Sequence, residues 1–535
     1  MAIPIPHPPQ MDNKDNYIVS LSQFTRWLGT LAEEDYGVEI YPGFAGSQLL
    51  LSSTPDACDA WGDPVRRVQG VITNEVGLSR RFMMKSTFEP GMVFRAKVTL
   101  LSEGAHGSLS KQAIQMYRLG KEAQPQTYGI GLKEVWRVDP SEHEPGKVTH
   151  FLGWPLPYDV YGGGWEYHMD GGLVSIGLVI GLDYKNPYLS PYREFQVRLS
   201  KKFYQIFVQI LVQHMKHHPH FRKLLSGKES ERLAYGARVL NEGGLQSVPR
   251  LSFPGGALMG CSAGFVNVAK IKGTHNAMKT GMLAAESAYE AVHGKDETGD
   301  LSSYERAFKT SWVYQDLDEV RNLRPSFNTA LGIWGGIVYS GIDSLLLKGR
   351  TPWTFRHGND GMGSLDSRHT EVASRHEPIE YPGFEPPLST DLMTSVSLTG
   401  TNHAEDQPVH LRVATTAEYT NKKSPACGAG SEAVETCTEG KEEVEEEEQR
   451  RREHVRINVG EYGGLLGRAC PAGVYEYVES GLVINSQVRV IVAVAPIYLS
   501  SLHTELYPLQ AVRRQGADAG HYMDSSRGRG RTQIQ

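Results

Sequence analysis

The stretch from Gly255 to Glu286, GGALMGCSAGFVNVAKIKGTHNAMKTGMLAAE, sets the tightest limit on how this chain folds. Ala257-Leu258-Met259 is short, apolar and stopped by Gly260, which fits a buried strand. A glycine-rich loop with basic residues follows. Helical spacing then takes over, with Ala277, Met278, Met282, Ala285, Tyr289 and Val292 as the apolar set and Thr274 as the expected N-cap. A strand that feeds a glycine-rich turn and a helix N-terminus gathers free N–H groups at the positive end of a helix dipole. Such an element is suited to an anion or an electron-rich ring edge.

The chain has 535 residues, enough for two or three interleaved domains. A hydrophobic content of 40% supports a real core, and a formal charge of −6 argues against a nucleic-acid partner. Cys58, Cys261, Cys427, Cys437 and Cys470 are too few and too dispersed for a disulfide scaffold, which suits a reducing or matrix compartment. The opening MAIPIPHPPQMDNKDNYIV is Pro-rich and carries acids, so it reads as neither a signal peptide nor an Arg-rich transit peptide.

Tyr17 to Glu33 has an amphipathic helical pattern, with Leu21, Phe24, Leu28 and Leu31 on one face. Gly37 to Tyr41 reads as a strand ending at a Pro-Gly turn. Arg95 to Leu101 reads as another, followed by a turn and helix in EGAHGSLSKQ (Glu103 to Gln112). No G-x-G-x-x-G follows an N-terminal strand, and Gly43 and Gly46 do not sit between a strand and a helix. The chain is therefore expected to lack the βαβ unit that cradles a dinucleotide pyrophosphate. Residues 125–250 switch to strand chemistry with aromatic and glycine-rich turns; for Tyr161-Gly162-Gly163 a hairpin turn is the default reading. Between Arg324 and Lys348 the only charge is Asp343, and basic residues and Trp353 flank the apolar run. That composition fits a membrane-surface helix, and the run is marginal for a full span. From about 413 to 455 the chain is of low complexity, an acidic block then a basic one, and reads as a solvated insertion.

GCSAGFVNVAKIKGTHNAMKTGMLAAE, GWPLPYDVYGGGWEYHM, SLTGTNHAEDQPVHLR and ACPAGVYEY together resemble the electron-transfer flavoprotein–ubiquinone oxidoreductases, over roughly residues 10–412 and 460–487. The resemblance implies electron transfer from reduced electron-transfer flavoprotein to ubiquinone through FAD and a 4Fe-4S cluster. It implies monotopic attachment to the mitochondrial inner membrane on its matrix side. It places Glu103, Gly104, Gly107, Gly260, Cys261, Asn267, Gly273 and Thr274 at the FAD, with Asn267 and Thr274 within hydrogen-bond reach of the isoalloxazine and Cys261 as a wall residue. It places Gly162 and Gly163 at the ubiquinone headgroup, where bare backbone lets a flat ring approach. Electron transfer of this kind implies no catalytic acid–base pair on the protein.

The resemblance makes Cys470 the first of four cluster thiolates. The family supplies the others in a C-x-x-C-x-x-C run after a segment like LVINSQ, where this chain has VRVIVAVAPIYLSS. Cys427 and Cys437 have the wrong spacing, so the cluster is expected not to assemble. Two stretches, Val197 to Met215 and the one from Val488, depart from the family. Each begins with Val after Gln, as translated intron would, since most intron donors begin GT.

The expected fold is α+β: a two-dinucleotide-fold-type FAD core, an inserted β-rich quinone-binding domain and a degenerate ferredoxin-like C-terminal part. The expected segments are 1–125 and 251–320 for FAD, 126–250 for ubiquinone with an insertion at 197–215, and 321–356 for the membrane-associated helix. A linker at 357–412, the insertion 413–455, an iron–sulfur remnant at 456–487 and a divergent tail at 488–535 complete the chain. One rival reading is another FAD-dependent monooxygenase or polyprenyl reductase, and the presence of CPAGVYEY speaks against it. The other is a truncated or mis-spliced non-catalytic product, and the missing fingerprint, the missing thiolates and the two Val-initial stretches speak for it.

Overall fold

The computed structural model describes residues 7–196, 215–294, 301–357, 370–413, 441–485 and 504–506, apart from positions 15, 81, 82, 330, 382, 387, 402, 405, 409, 410, 479 and 480. Residues 197–214 of the insertion, Cys427, Cys437 and the stretch from Val488 lie outside the described residues, but for the three at 504–506, while Met215 is buried in the larger hydrophobic core.

Sheets and helices are mixed, and two hydrophobic cores organise them. The first sheet is antiparallel, with Gly46–Leu51 (β1), Val68–Thr73 (β2) and Val93–Arg95 (β3) in the order β1-β2-β3. Arg95 to Leu101 is thus two strands, β3 and then Thr99–Leu101 (β4), with the chain turning between them to change sheets. Gly37 to Tyr41 forms no strand: Gly37 takes a left-handed conformation that ends helix Leu21–Tyr36 (α1), and the chain then runs irregularly. That helix has the expected pattern but buries none of its residues.

The larger core surrounds a five-stranded antiparallel sheet. Its strands are Tyr128–Arg137 (β5), Val148–Leu152 (β6), Gly162–Met169 (β7), Leu173–Gly181 (β8) and Glu231–Asn241 (β9), in the order β6-β7-β8-β5-β9. Alternation explains β5 and β7, whose residues switch between buried and half-buried along the strand, while β8 is buried almost throughout because it lies at the centre. Trp136, Ile130, Leu132, Ile176 and Leu178 carry this core. Truncating one of them, as in Ile176→Ala, would cost about 2–5 kcal/mol.

The second core joins β4 to Ser252–Phe253 (β10) and Gly256–Leu258 (β11), in the order β10-β11-β4, with β11 parallel to β4. Helix Ser108–Met116 (α2) follows β4 and helix Thr274–His293 (α3) follows β11. The apolar set read for α3 is not its core face. Met278, Met282 and Tyr289 are exposed, and the buried positions are Asn276, Thr280, Leu283, Ala284 and Ser287. Polar anchors select that face: Thr280 Oγ1 accepts from Gly260 N at 3.2 Å, and Asn276 Nδ2 donates to Phe265 O at 2.9 Å.

Candidate functional site

Parallel pairing puts the C-terminal ends of β4 and β11 at one edge, so their loops emerge side by side. Ser262 Oγ, in the second loop, accepts from Glu103 N at 2.8 Å and donates to Gly104 O at 3.4 Å. Gly104 and Gly260 have φ of 90° and 58°, where a side chain would be strained. Glu103 turns back on its own chain: it accepts from Leu109 N at 3.1 Å, Ser110 N at 2.6 Å and Ser110 Oγ at 2.7 Å, capping α2. Gly107 is the N-cap, and a Cβ there would collide with the Glu103 side chain.

In the second loop Cys261 is half-buried and its thiol is pushed up by burial, which fits a wall residue. Asn267 is fully buried. Its amide donates to Asp316 O at 3.2 Å and Asp316 Oδ2 at 2.8 Å, and its Oδ1 accepts from Lys270 N at 3.0 Å. The Asn267 side chain is thus engaged within the loop, and its main chain pairs with Lys272. Lys270 and His275 also face Asp316, whose carboxyl they and Asn267 hold far below its ordinary range. Asp316 closes the loop from a helix beginning at Trp312, and nothing in the sequence singled it out. The N-cap of α3 is Gly273, and Thr274 is the first helical residue, exposed and without a capping bond.

Around these loops His106 Nε2, Asn241 Oδ1 and Asn276 Oδ1 are buried without a hydrogen-bond partner. Burial holds His106 neutral, its pKa pushed down to about 3. Unpartnered buried donors and acceptors around two adjoining glycine loops fit a flat ligand with polar ring edges.

Gly162 and Gly163 open β7 rather than forming a turn. A Cβ at Gly162 would collide with Leu156 and with Val179 O, and one at Gly163 with Phe151 O, so both are held bare by the neighbouring strands. Beside them Phe327 packs edge-on to Tyr161 with ring centroids 4.9 Å apart, and the Arg324 guanidinium lies 4.1 Å over the Tyr161 ring.

Helix Gly332–Ile342 (α4) runs from there, its entry fixed by Ile333 N donating to Tyr158 O at 2.8 Å. Five further residues, Asp343–Leu347, continue it. Trp334, Val338, Ile342 and Leu346 recur every fourth residue and are 68%, 63%, 45% and 76% exposed. Leu331, Leu345, Tyr158 and Leu152 are exposed beside them. An outward apolar stripe of this width is not the face of a core helix. No helix among the described residues is long and apolar enough to cross a membrane.

Cys470 ends the short helix Leu465–Ala469 and is buried against a cavity of about 410 Å³ that Tyr192, Arg193, Phe384, Leu392 and Arg468 also line. The N–H groups of Ala472, Gly473, Val474 and Tyr475 face its sulfur, an arrangement that favours a thiolate, although burial outweighs them and pushes the thiol up. Tyr235 Oη donates to Pro471 O at 2.8 Å, tying this loop to β9. Among the described residues no group of three or more His, Cys, Asp and Glu is arranged to hold a metal. They bring a single thiol to this place and do not supply a four-thiolate set.

Residues 128–211 match the family described as ETF-QO, ubiquinone-binding, which takes in β5 to β8. Residues 387–460 match the family described as electron transfer flavoprotein-ubiquinone oxidoreductase, 4Fe-4S, a match that ends before Cys470. A probable mitochondrial electron transfer flavoprotein-ubiquinone oxidoreductase of Saccharomyces cerevisiae is 46% identical over 91% of this chain and 70% of its own length. The protein of that description in Schizosaccharomyces pombe is 44% identical over 91% of this chain and 67% of its own length. The mitochondrial electron transfer flavoprotein-ubiquinone oxidoreductase of Homo sapiens is 42% identical over 91% of this chain and 70% of its own length. A solved geranylgeranyl bacteriochlorophyll reductase-like protein of Thermoplasma acidophilum overlaps with a TM-score of 0.38 at 14% identity. The overlap covers 64% of this chain and 70% of that one, a likeness too weak to bear on fold or function.

Proposed function

The chain belongs to the electron transfer flavoprotein–ubiquinone oxidoreductase family, and from that premise we propose how its parts serve the reaction. The function is electron transfer from reduced electron-transfer flavoprotein to ubiquinone in the mitochondrial respiratory chain, with FAD and a 4Fe-4S cluster as the family's cofactors. FAD would supply the redox step between the two partners. The β4 and β11 loops would hold it. Gly104 and Gly260 give the bare backbone, Cys261 the wall, and His106, Asn241 and Asn276 the buried polar atoms left without a partner around the loops. Glu103 and Asn267 serve this site by bracing the loops, because their side chains are engaged within the protein. The Thr274 hydroxyl, exposed at the start of α3, is the remaining side-chain group for a ring edge. Among the described residues Cys470 is the single thiol at this place, so no residue described here beyond it is assigned to that electron path.

The ubiquinone headgroup is received beside the start of β7, where Gly162 and Gly163 are packed without side chains against Leu156, Val179 and Phe151. The α4 stripe lies on the matrix face of the inner membrane. The observation that carries this is the bond between Tyr158 O and Ile333 N, since it fixes an outward apolar helix to the chain that leads into Tyr161 and Gly162. A quinone with a long apolar tail lives in the bilayer, so its headgroup site has to open at the membrane surface. Flotation with vesicles of mitochondrial lipid composition tests the reading. The chain should float with the lipid, and short-chain ubiquinone added to the vesicles should quench its tryptophan fluorescence to saturation. A chain that stays in the soluble fraction, or quenching that rises without saturating, would overturn it.

A further inference from the structure

Helix α4 ends in a wider turn. Over Asp343–Leu347 the chain takes the π form, and Lys348 N donates to Asp343 O, five residues back, at 2.5 Å. In that turn Asp343 and Ser344 are both buried, while Leu345 and Leu346 both face out. Asp343 is the only acid from Gly332 to Leu347, so the outward face of the helix carries no negative charge. Burial also raises the Asp343 carboxyl.

Arg321 and Asn322 pin the chain that follows. Arg321 donates through Nη1 to Gly349 O and through Nη2 to Thr351 O, both at 2.7 Å. Asn322 is fully buried. Its Nδ2 donates to Thr351 Oγ1 at 2.9 Å and to Trp353 O at 3.0 Å, and its Oδ1 accepts from Phe355 N at 2.6 Å. Trp353 reaches back to α4, its Nε1 donating to Tyr339 Oη at 3.1 Å, and the Phe355 and Tyr339 rings lie 4.8 Å apart. On this fixed main chain Lys348, Arg350 and Arg356 are exposed, and none of them is in an ion pair among the described residues. The nearby acids are accounted for. Asp318 pairs with Arg321 at 3.3 Å, and exposed Glu319, whose backbone packs on Gly349, accepts from Gln10 at 3.0 Å. Three cations thus stand at the C-terminal end of the apolar stripe, with Glu319 as the one exposed carboxylate that no described cation takes up.

We propose that this end of α4 selects phospholipids with net negative headgroups, with Lys348, Arg350 and Arg356 at the phosphates and Trp353 at the level of the interface. The inference rests on the membrane reading of α4 and adds the class of lipid. An apolar stripe flanked by tryptophan and basic residues has the anchors of a helix lying in a bilayer surface. Lysine and arginine gain from such a surface when it is anionic, and the gain fades within a Debye length. The rest of the molecule works the other way. With a formal charge of −6 the chain as a whole is repelled by an anionic surface and is attracted where these three cations lead, which turns the stripe toward the lipid.

Flotation with vesicles of phosphatidylcholine alone, and with vesicles that also contain phosphatidylglycerol, tests this. Partition of the unsubstituted chain should be stronger on the anionic vesicles by about fivefold for each cation, and the excess should fall away as salt is raised. Lys348→Gln with Arg350→Gln and Arg356→Gln should remove that excess and leave partition on phosphatidylcholine unchanged. Lys228→Gln with Arg306→Gln and Lys309→Gln, which takes the same charge from exposed sites elsewhere, should keep it. Inorganic phosphate at matched ionic strength should not compete. Equal partition on the two vesicles, an excess that survives the first triple substitution or is lost equally in the second, or displacement by inorganic phosphate would overturn the proposal while leaving the membrane reading intact. If the first variant fails to fold, the lipid comparison and the salt dependence of the unsubstituted chain still decide. A chain that floats with neither vesicle would instead remove the membrane reading itself, and this inference with it.

Discussion

Lys216 and Glu134 meet at 3.0 Å with neither side chain exposed to water. Glu134 also accepts from Gln196 at 2.6 Å, Arg232 at 3.0 Å and Trp136 Nε1 at 2.7 Å, so the carboxylate is saturated and held low despite its burial. Arg232 carries the network onward to Ser395 Oγ at 2.9 Å and Thr390 Oγ1 at 2.7 Å. The five-stranded sheet is thereby tied to the chain that approaches the Cys470 cavity. Lys216→Met removes one cation and leaves the carboxylate buried. The expected loss in urea unfolding is near the lower end of about 3–5 kcal/mol, because Arg232 remains. A loss no larger than that of an exposed ion pair, about 1 kcal/mol or less, would show that the pair does not hold the two parts together.

His454 is buried with its Nε2 3.1 Å from Tyr477 Oη, and burial pushes its pKa down to about 4 from an ordinary 6.5. A depressed folded-state pKa gives stability that is present above 6.5 and lost as pH falls toward 4, because the unfolded chain takes up the proton first. The loss from this one side chain is about 3 kcal/mol at most. Thermal melts from neutral pH to pH 4 should therefore fall less steeply for His454→Gln than for the unsubstituted chain. Identical acid limbs would mean the imidazole is wetter than the packing indicates.

The apolar stripe of α4 gives a prediction about lipid. Each such side chain transferred from water to an apolar layer contributes about 1.5–3 kcal/mol. Val338→Asp with Leu346→Asp should abolish flotation while leaving the thermal melt unchanged, since both residues are exposed. If the melt collapses and flotation survives, the stripe is internal to a larger fold and the membrane reading is wrong.

Thiol reactivity should follow burial. Cys58 is exposed, Cys261 half-buried and Cys470 buried, and burial pushes the last two thiols up. Alkylation at neutral pH followed by peptide mapping should mark Cys58 first, Cys261 later and Cys470 only on unfolding. Early marking of Cys470 would show its cavity open to solvent.

The sequence showed the strands of the central sheet because alternation and burial are local: β5, β7 and β8 are legible in YGIGLKEVW, GGGWEYHM and LVSIGLVIG. It showed the β11 loop and the apolar run around α4 for the same reason. It failed on the direction of α3, where the most apolar stripe, Met278, Met282 and Tyr289, faces out, and Asn276 and Thr280 face in. There the loop bonds to Phe265 and Gly260 fix the rotation of the helix, and periodicity does not register them. The buried pairing of Arg324 with Asp183 at 2.9 Å and with Glu242 at 3.0 Å was not legible at all. Nothing local distinguishes them, and only the pleat that brings Gly129 opposite Gly181 creates the space they share.

The central claim, that ubiquinone meets this chain beside the start of β7 and the membrane-facing helix, is tested most directly by photolabelling. The chain is bound to vesicles containing an azido-ubiquinone, irradiated and mapped by peptide. The account predicts label on peptides spanning Tyr158 to Gly164 and the start of α4, with unlabelled ubiquinone suppressing it. Label concentrated on the β1–β3 sheet, or label that excess ubiquinone does not displace, would contradict it.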